Sequence, residues 1–366
     1  MATSVHAHLL RIAHERGEEL QRLLVLFALE RLLYRLGRSD HAKKLVLKGA
    51  MLFQVWEGSL PRTTRDLDLL GVGESSAAAA LTAFRELWCI DDVEDGLELD
   101  PDSLRTETIR DQGADIGLRI KCRVRLGNAV VPLQVDVGSG DAVRPSPRLI
   151  EYPTLLDPPA PRILAYPKEA VVAEKAQAMV ELGLLNSRLK NYFDLCHLAR
   201  TQRFDGVMLQ DAIQATFKRR ETPIPQAPIE GLGPEFAASS TKRAQWAGFQ
   251  RRAGLPPEEL SVVVETVRAL VEPVVLALAG GARRWLPIFP GVVAARTLAA
   301  QEAEIGAAGR FPPLQPVRTH LNREFRFVHS GSRQALAARG SGVLGQKDCR
   351  SLRGRVSTRA GRSGLG

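Results

Sequence analysis

The chain is poor in aromatic residues, cysteines and long apolar runs. Aromatic side chains make up 5% of its 366 residues, and the longest apolar run, from Leu23 to Leu29, has seven residues. A helix that spans a bilayer needs about 20 apolar residues, so no membrane partner is expected. The four cysteines lie far apart and include no C-x-x-C pair, which argues against a disulfide framework or a zinc ribbon. With no recognisable secretory signal, these absences predict a cytoplasmic protein.

The basic charge is concentrated at the C-terminal end. The formal net charge is +9, yet the segment 305–366 alone holds twelve Lys and Arg residues against two acids. The other 304 residues carry a net charge of −1. Bulk charge is therefore weak evidence that the main body of the chain binds nucleic acid. Gly, Ser and Arg dominate the end of the segment 286–366, which predicts a basic, disordered tail.

The remainder of the sequence divides into a mixed half and a helical half. Apolar spacing predicts an N-terminal helix within residues 1–40, a core with strands over 41–165, and a helical domain over 166–285. In the core, the periodicity predicts strands at 44–47, 67–70, 116–126 and 130–137, a short helix from 51, a helix over 75–88, and an extended connection over 145–167. In the helical domain it predicts helices at 169–185, 188–200, 206–219 and 256–278, with a proline-rich break at 222–234.

Two details of the predicted strands concern the surface and the sheet edge. Pro132 suggests that the strand 130–137 is at an edge or that it starts there. The strand 116–126 carries basic residues on one face, which is either a contact surface for a phosphate backbone or a solvated face. These basic residues are Arg119, Lys121, Arg123 and Arg125.

Three acidic residues interrupt apolar strands. Asp66 and Asp68 are two residues apart, so the period of a strand puts both carboxylates on one face. Asp136 lies between Val135 and Val137 in a later strand. Adjacent carboxylates repel each other unless a cation lies between them, and such carboxylates together with substrate phosphates suit Mg²⁺. Taken singly, each acid is more often a turn residue or an ion-pair partner; together they would form a metal centre for phosphoryl transfer.

Five segments carry a resemblance to a known family. They read L-K-G-A at 47–50, R-T-T-R-D-L-D-L-L at 62–70, Q-V-D-V-G at 134–138, A-E-K-A at 173–176 and N-S-R-L-K-N-Y-F-D-L at 186–195. Their order and spacing resemble nucleotidyltransferases of the AbiEii/AbiGii type, the toxin components of type IV toxin–antitoxin systems. These toxins belong to the polymerase-β-like nucleotidyltransferase superfamily. The resemblance covers about residues 20–285.

The resemblance implies an α/β fold with a mixed-sheet nucleotidyltransferase core and a helical C-terminal half. It implies Mg²⁺-dependent transfer of a nucleotidyl group from a nucleoside triphosphate to an acceptor hydroxyl, with RNA, and first the tRNA 3′ end, as the acceptor. A cognate antitoxin would counter the toxicity without a tight complex. Asp66, Asp68 and Asp136 would hold the metal, and Asp136 would also position or deprotonate the acceptor hydroxyl.

The resemblance also implies roles for the other site residues. Gly49 would let the backbone approach the triphosphate, and Ala50 stands where the family has a hydroxyl or a second glycine. Lys175 would offset charge on the leaving group. The family motif R-x-K-D-x-x-D is matched at Asp194, a further catalytic candidate, whereas Asn191 replaces its first Asp. The expected nucleotide-binding residues are Lys48, Gly49, Ala50, Arg62 and Thr64.

Two other functions remain open at this stage. One is a small-molecule nucleotidyltransferase of the antibiotic-modifying kind, which would have an acidic, closed acceptor pocket. The other is a catalytically inactive nucleotide-binding protein, which the replacements at Ala50 and Asn191 would favour.

Overall fold

A seven-stranded mixed sheet organises the part of the chain that the computed structural model describes, namely residues 1–71, 77–90, 94–110, 116–157 and 159–280. The strand order is β3-β4-β5-β2-β1-β7-β6. β2 runs parallel to β5 and β1 runs parallel to β7, whereas the other neighbours are antiparallel. The strands are β1 Leu45–Lys48, β2 Asp66–Gly71, β3 Leu97–Arg110, β4 Ile116–Leu126, β5 Ala129–Ser139, β6 Arg148–Glu151 and β7 Arg162–Ala165.

Helices precede the sheet and form most of the chain after it. They are α1 Ala2–Arg16, α2 Leu20–Gly37, α3 Leu52–Glu57, α4 Ala77–Trp88, α5 Lys168–Leu182, α6 Leu189–Thr201, α7 Gly206–Arg219, α8 Pro234–Ala238, α9 Ser240–Ala253 and α10 Leu260–Ala279. The mixed sheet and the helical second half confirm the predicted fold class. Within the described ranges, no helix has the length and apolar character that a membrane crossing needs.

The core lies between the sheet and the helices that cover it. α2 is buried along most of its length and packs against β5 and β7, because its apolar residues cover more than one face of the helix. In β2 and β5, apolar residues such as Leu67, Val135 and Val137 are buried, so the two strands occupy fixed positions in the middle of the sheet. The acidic residues on these strands are therefore held by a rigid scaffold.

Several elements agree with the sequence predictions. The strand 116–126 and the helix 206–219 are confirmed residue for residue. The helices predicted at 188–200 and 256–278 are confirmed with small shifts at their ends. The tail predicted over 286–366 lies outside the described residues, and the domain boundaries near residues 40 and 165 stay predictions.

Other predictions were wrong. The single N-terminal helix is two helices, because Gly17 at φ 63° ends α1 with a left-handed cap. The predicted connection 145–167 contains β6 and β7. β3 and α9 were not predicted at all. β5 is not an edge strand; Pro132 is tolerated because the pairing with β2 begins only at Gln134.

Candidate active site

Strand register brings the three predicted acids to one face of the sheet. Asp68 on β2 is directly opposite Asp136 on the parallel strand β5. Residues in register on neighbouring strands project to the same face, and such strands are about 4.8 Å apart. Asp66, two residues before Asp68, projects from this face as well. The structure therefore brings together two acids from one strand and one from its neighbour.

Burial and mutual repulsion raise the pKa of both acids on β2. Burial is the main cause of the raised pKa of Asp66, and the charge of Asp136 adds to it. Burial raises the pKa of Asp68 to about 6; Asp136 and Asp66 add to this shift, and Lys190 and Lys48 oppose it. A divalent cation would relieve this repulsion and favour the ionised forms. The hard oxygen donors of this face therefore fit a divalent metal ion.

Asp136 is held by an arginine of the next strand. Arg119 on β4 is opposite Asp136 and donates Nε to Oδ1 at 2.8 Å and Nη2 to Oδ2 at 2.7 Å. In the part of the chain that the structure describes, no three His, Cys, Asp or Glu side chains are grouped as metal ligands. Binding of one ion by all three acids therefore requires Asp136 to turn or to share its oxygens with Arg119.

Gly49 provides the turn that the sequence predicted beside these acids. Its φ of 77° lies in the left-handed region, where other L-residues are strained. A Cβ at this position would lie 2.7 Å from Cγ of Asp68 and would overlap its carboxylate. Glycine is thus required at this position for two reasons: the backbone has a left-handed conformation, and a Cβ would overlap the side chain of Asp68. Ala50 next to it is buried.

Replacement of Gly49 by alanine is expected to displace Asp68 and to strain the turn. We expect a loss of stability of about 2 kcal/mol or more and a loss of metal-dependent activity. Thermal unfolding and labelling assays on G49A would measure both effects. Gly58→Ala is the matched control, since Gly58 has a φ of 71° and a Cβ added there would meet no neighbouring atom within 4 Å. Equal effects of the two substitutions would show that backbone strain alone is responsible.

Lys48 belongs to a second charged cluster, which no local sequence pattern predicts. Its ammonium donates to Oδ2 of Asp141 at 2.9 Å and lies 3.8 Å from Glu174. Arg220 from the end of α7 donates to the other oxygen of Asp141 at 2.7 Å. Lys48 is also opposite Asp68 in the sheet. Its charge is therefore shared between a buried ion-pair cluster and the acidic face.

Asp194 connects the sheet half of the protein to the helical half. Arg62, in the loop before β2, donates to both of its oxygens at 2.7 and 2.9 Å. Lys175 on α5 donates to Oδ2 at 3.0 Å and to Oδ1 of Asn191 at 3.3 Å. Although burial opposes ionisation of Asp194, these two cations hold its pKa well below the usual range. The carboxylate is 1% exposed, and the two cations keep it ionised in the interior.

The departures from the family motif have visible consequences here. Asn191 is buried, and its Nδ2 has no hydrogen-bond partner among the described residues. An Asp at this position would place a second carboxylate beside Lys175. Thr64 donates its hydroxyl to the backbone oxygen of Asp66 at 3.4 Å, so this hydroxyl supports the start of β2.

The basic face predicted on β4 is neutralised by acids of neighbouring strands. Besides the Arg119–Asp136 pair, Lys121 binds Glu107 at 2.9 Å and Arg123 binds Asp100 at 3.1 Å. Arg125 is opposite Glu98 in the register. Most of the charge on this face is therefore balanced within the sheet, which leaves little of it for a phosphate backbone.

A mixed sheet with paired acids on a central strand, beside a glycine turn, defines a nucleotidyltransferase-type centre. The family model of the nucleotidyl transferase AbiEii toxin of type IV toxin–antitoxin systems matches residues 31–272. The chain belongs to this family. It is accordingly a toxin nucleotidyltransferase, whose family implies a nucleoside triphosphate substrate, a divalent metal and an antitoxin partner.

Two crystal structures from Helicobacter pylori are similar to the chain. One, described as a candidate nucleotidyltransferase, has 14% sequence identity and a TM-score of 0.43, and the match covers 71% of this chain and 97% of that chain. The other, JHP933, has 13% identity and a TM-score of 0.42, with 77% of this chain and 98% of that chain covered. The search of curated proteins gave no match.

Proposed function

We propose that the chain transfers a nucleotidyl group from a nucleoside triphosphate to a hydroxyl of RNA, with the tRNA 3′ end as the first candidate acceptor. Asp66, Asp68 and Asp136 are the proposed ligands of Mg²⁺. The observation that carries this proposal is the register that puts Asp68 opposite Asp136 and both on the face of Asp66. The raised pKa values of the β2 acids support it, since the charge of a bound cation would offset the burial and the repulsion that raise them.

The acids and the lysines of the site have different proposed roles in the transfer reaction. When bound, Mg²⁺ supplies neutralisation of the charge on the transferred phosphate and on pyrophosphate. Asp136 is proposed to position or help deprotonate the acceptor hydroxyl once its carboxylate turns from Arg119, which binds both of its oxygens in this structure. The ammonium of Lys175 is proposed to stabilise the leaving pyrophosphate.

Asp194 acts in this proposal as a positioning residue. It fixes Arg62, from the loop before β2, and Lys175, from α5, by three hydrogen bonds to its two oxygens. Although burial opposes it, Asp194 raises the pKa of Arg62, and the charges of Asp68 and Asp66 add to this shift, so the guanidinium lies within the field of the acidic face. Arg62 is thus a pre-oriented cation near the proposed metal ligands, and Asp194 holds Lys175 next to it. Lys48, Gly49, Ala50 and Thr64 are proposed to border the nucleotide, with Thr64 supporting the backbone.

The surroundings of the site favour RNA over a small cationic acceptor. An antibiotic-type enzyme would need an acidic acceptor pocket. A groove of about 730 Å³ beside Arg62 instead contains Arg188, Lys190, Arg251 and Arg252, and none of its described lining residues is acidic. A polyanionic acceptor is compatible with such a lining, whereas an aminoglycoside would be repelled.

Removal of divalent metal is expected to abolish transfer. Purified protein would be incubated with each labelled nucleoside triphosphate and total tRNA, with Mg²⁺ or with EDTA. We expect label on the RNA only with Mg²⁺, and full recovery when Mg²⁺ is restored after EDTA. Aminoglycosides in place of tRNA test the alternative acceptor. Metal-dependent binding of nucleotide without label on any acceptor would instead identify an inactive nucleotide-binding protein.

The proposed antitoxin counters the growth defect without a tight complex. Co-expression of a cognate antitoxin would then restore growth, although the two proteins would not co-purify. Stable co-purification with loss of labelling activity would contradict this part of the proposal.

A further inference from the structure

A basic groove borders the proposed active site on the side of the helical half. We call it the α9 groove; it is lined by the loop before β2 (Arg62 and Thr63), the start of α6 (187–190) and the second half of α9 (244–253). Its volume is about 730 Å³. Five of its lining residues are cations and, of the described residues that line it, none is an acid.

Four of the five cations of the α9 groove differ from the basic face of β4, because they form no ion pair with an acid among the described residues. Arg62 is bound to Asp194, but the other four cations form no ion pair within the described ranges of the chain. Three of the four are exposed. The basic face of β4, by comparison, is balanced by acids of β3 and β5. The unpaired cations are Arg188, Lys190, Arg251 and Arg252.

Two of these unpaired arginines converge at one point on α9. A Cβ at Gly248 would lie 3.2 Å from Nη1 of Arg252 and 4.0 Å from Nη2 of Arg251. Both guanidinium groups therefore lie over the position where another residue would carry a side chain. Like charges brought together without an acid between them repel, and a phosphate group placed there would remove this repulsion.

The α9 groove also reaches the acidic face. Arg62 and Thr63 line the groove and belong to the loop that leads directly into β2, where Asp66 and Asp68 lie. Lys190, at the start of α6, lines the same groove. Phe249, packed against Phe193 and Trp246, adds a half-buried aromatic ring to the lining. A chain of phosphates with a base against this ring could thus lead to the metal ligands.

We propose that the α9 groove binds the phosphate backbone of the RNA acceptor and directs its terminal hydroxyl towards Asp66, Asp68 and Asp136. The five cations of the groove come from three separate segments of the chain, and this number of positive charges suits a polynucleotide better than a single triphosphate next to the metal ligands. This inference rests on the proposed function for the identity of the acceptor. The binding itself requires neither nucleotide nor metal.

The test compares R251Q/R252Q with a control that loses the same charge elsewhere. In R11Q/R16Q the two arginines are removed from the exposed surface of α1. The probe is total tRNA, and its dissociation constant is measured at several salt concentrations without nucleotide or Mg²⁺. We expect R251Q/R252Q to bind about tenfold or more weakly than wild type and to reduce the salt slope by about one to two, and R11Q/R16Q to bind as wild type does.

Further measurements separate this inference from the proposed function. Binding of a non-hydrolysable nucleoside triphosphate should be the same in R251Q/R252Q and wild type. If the double variant loses triphosphate affinity and keeps tRNA affinity, the groove serves the nucleotide and the inference is overturned. If R251Q/R252Q binds tRNA as tightly as wild type and still labels RNA, the inference is overturned and the proposed function is unaffected. If R251Q/R252Q binds tRNA more weakly than wild type, but wild type labels no RNA, the groove is confirmed as an RNA-binding site and the proposed transfer activity is refuted.

Discussion

Replacement of Asp68 by alanine is expected to reduce nucleotidyl transfer by about 1000-fold or more while the protein stays folded. Asp68 lies in the centre of the proposed metal ligands, opposite Asp136 on one side and Lys48 on the other. Its carboxylate is also an unfavourable charge in the metal-free protein, because burial and the neighbouring acids raise its pKa to about 6. The same residue should therefore be essential for activity and costly for stability.

The pH dependence of stability provides a second readout for this variant. A carboxylate whose pKa is raised in the folded state keeps its proton longer there, so wild-type stability falls as pH rises from about 4 through 6. Without metal, Asp68→Ala should unfold at a higher temperature than wild type at pH 8, and the difference should vanish near pH 4. Asp211→Ala, at an exposed position of α7, is the control. Full labelling activity in D68A would contradict its assignment as a ligand.

Replacement of Asp194 by alanine is expected to destabilise the protein by about 3–5 kcal/mol. The substitution leaves Arg62 and Lys175 without the carboxylate that they share, and both cations are largely shielded from solvent. Because the pKa of Asp194 is held low, its contribution is present at neutral pH and is lost only as pH falls towards the folded-state value. Denaturant titrations at pH 7 and pH 3 would show a smaller difference between D194A and wild type at the lower pH.

Two milder variants keep this prediction testable if D194A does not fold. Asp194→Asn keeps an oxygen acceptor and should lose less stability. Lys175→Met leaves the bidentate Arg62–Asp194 pair intact, so it should lower transfer more than it lowers stability. A loss of stability in K175M as large as that in D194N, together with normal transfer, would show that Lys175 has a purely structural role.

The sequence contained the local features of the site but not its surroundings. The D-x-D pair, the later strand acid and the glycine turn are short-range patterns, so period and turn chemistry were enough to select Asp66, Asp68, Asp136 and Gly49 as candidates. The pairing of β2 with β5, by contrast, joins residues about seventy positions apart. No periodicity specifies such a register. It depends on which strands the core brings together.

The ion-pair partners of the site residues are the feature that the sequence predicts least well. The sequence pattern places Arg119 with its basic neighbours on one face of β4. Alternation along a strand indicates which residues share a face, but it does not indicate which side chains of the neighbouring strands they contact. The partner of Arg119 is Asp136, and the opposing strand β3 was missed because its acids and hydroxyls obscure the apolar pattern. The cluster of Lys48 with Asp141 and Arg220 joins three distant segments, and no local sequence pattern predicts it.

The most direct test of the central claim is the position of a bound ion. Crystals grown with Mn²⁺ and a non-hydrolysable nucleoside triphosphate would be measured for anomalous scattering. We predict a manganese peak coordinated by Asp66 and Asp68 on β2, with Asp136 turned towards it from β5. A peak remote from these three carboxylates, or triphosphate bound with no ion at all on this face of the sheet, would contradict it.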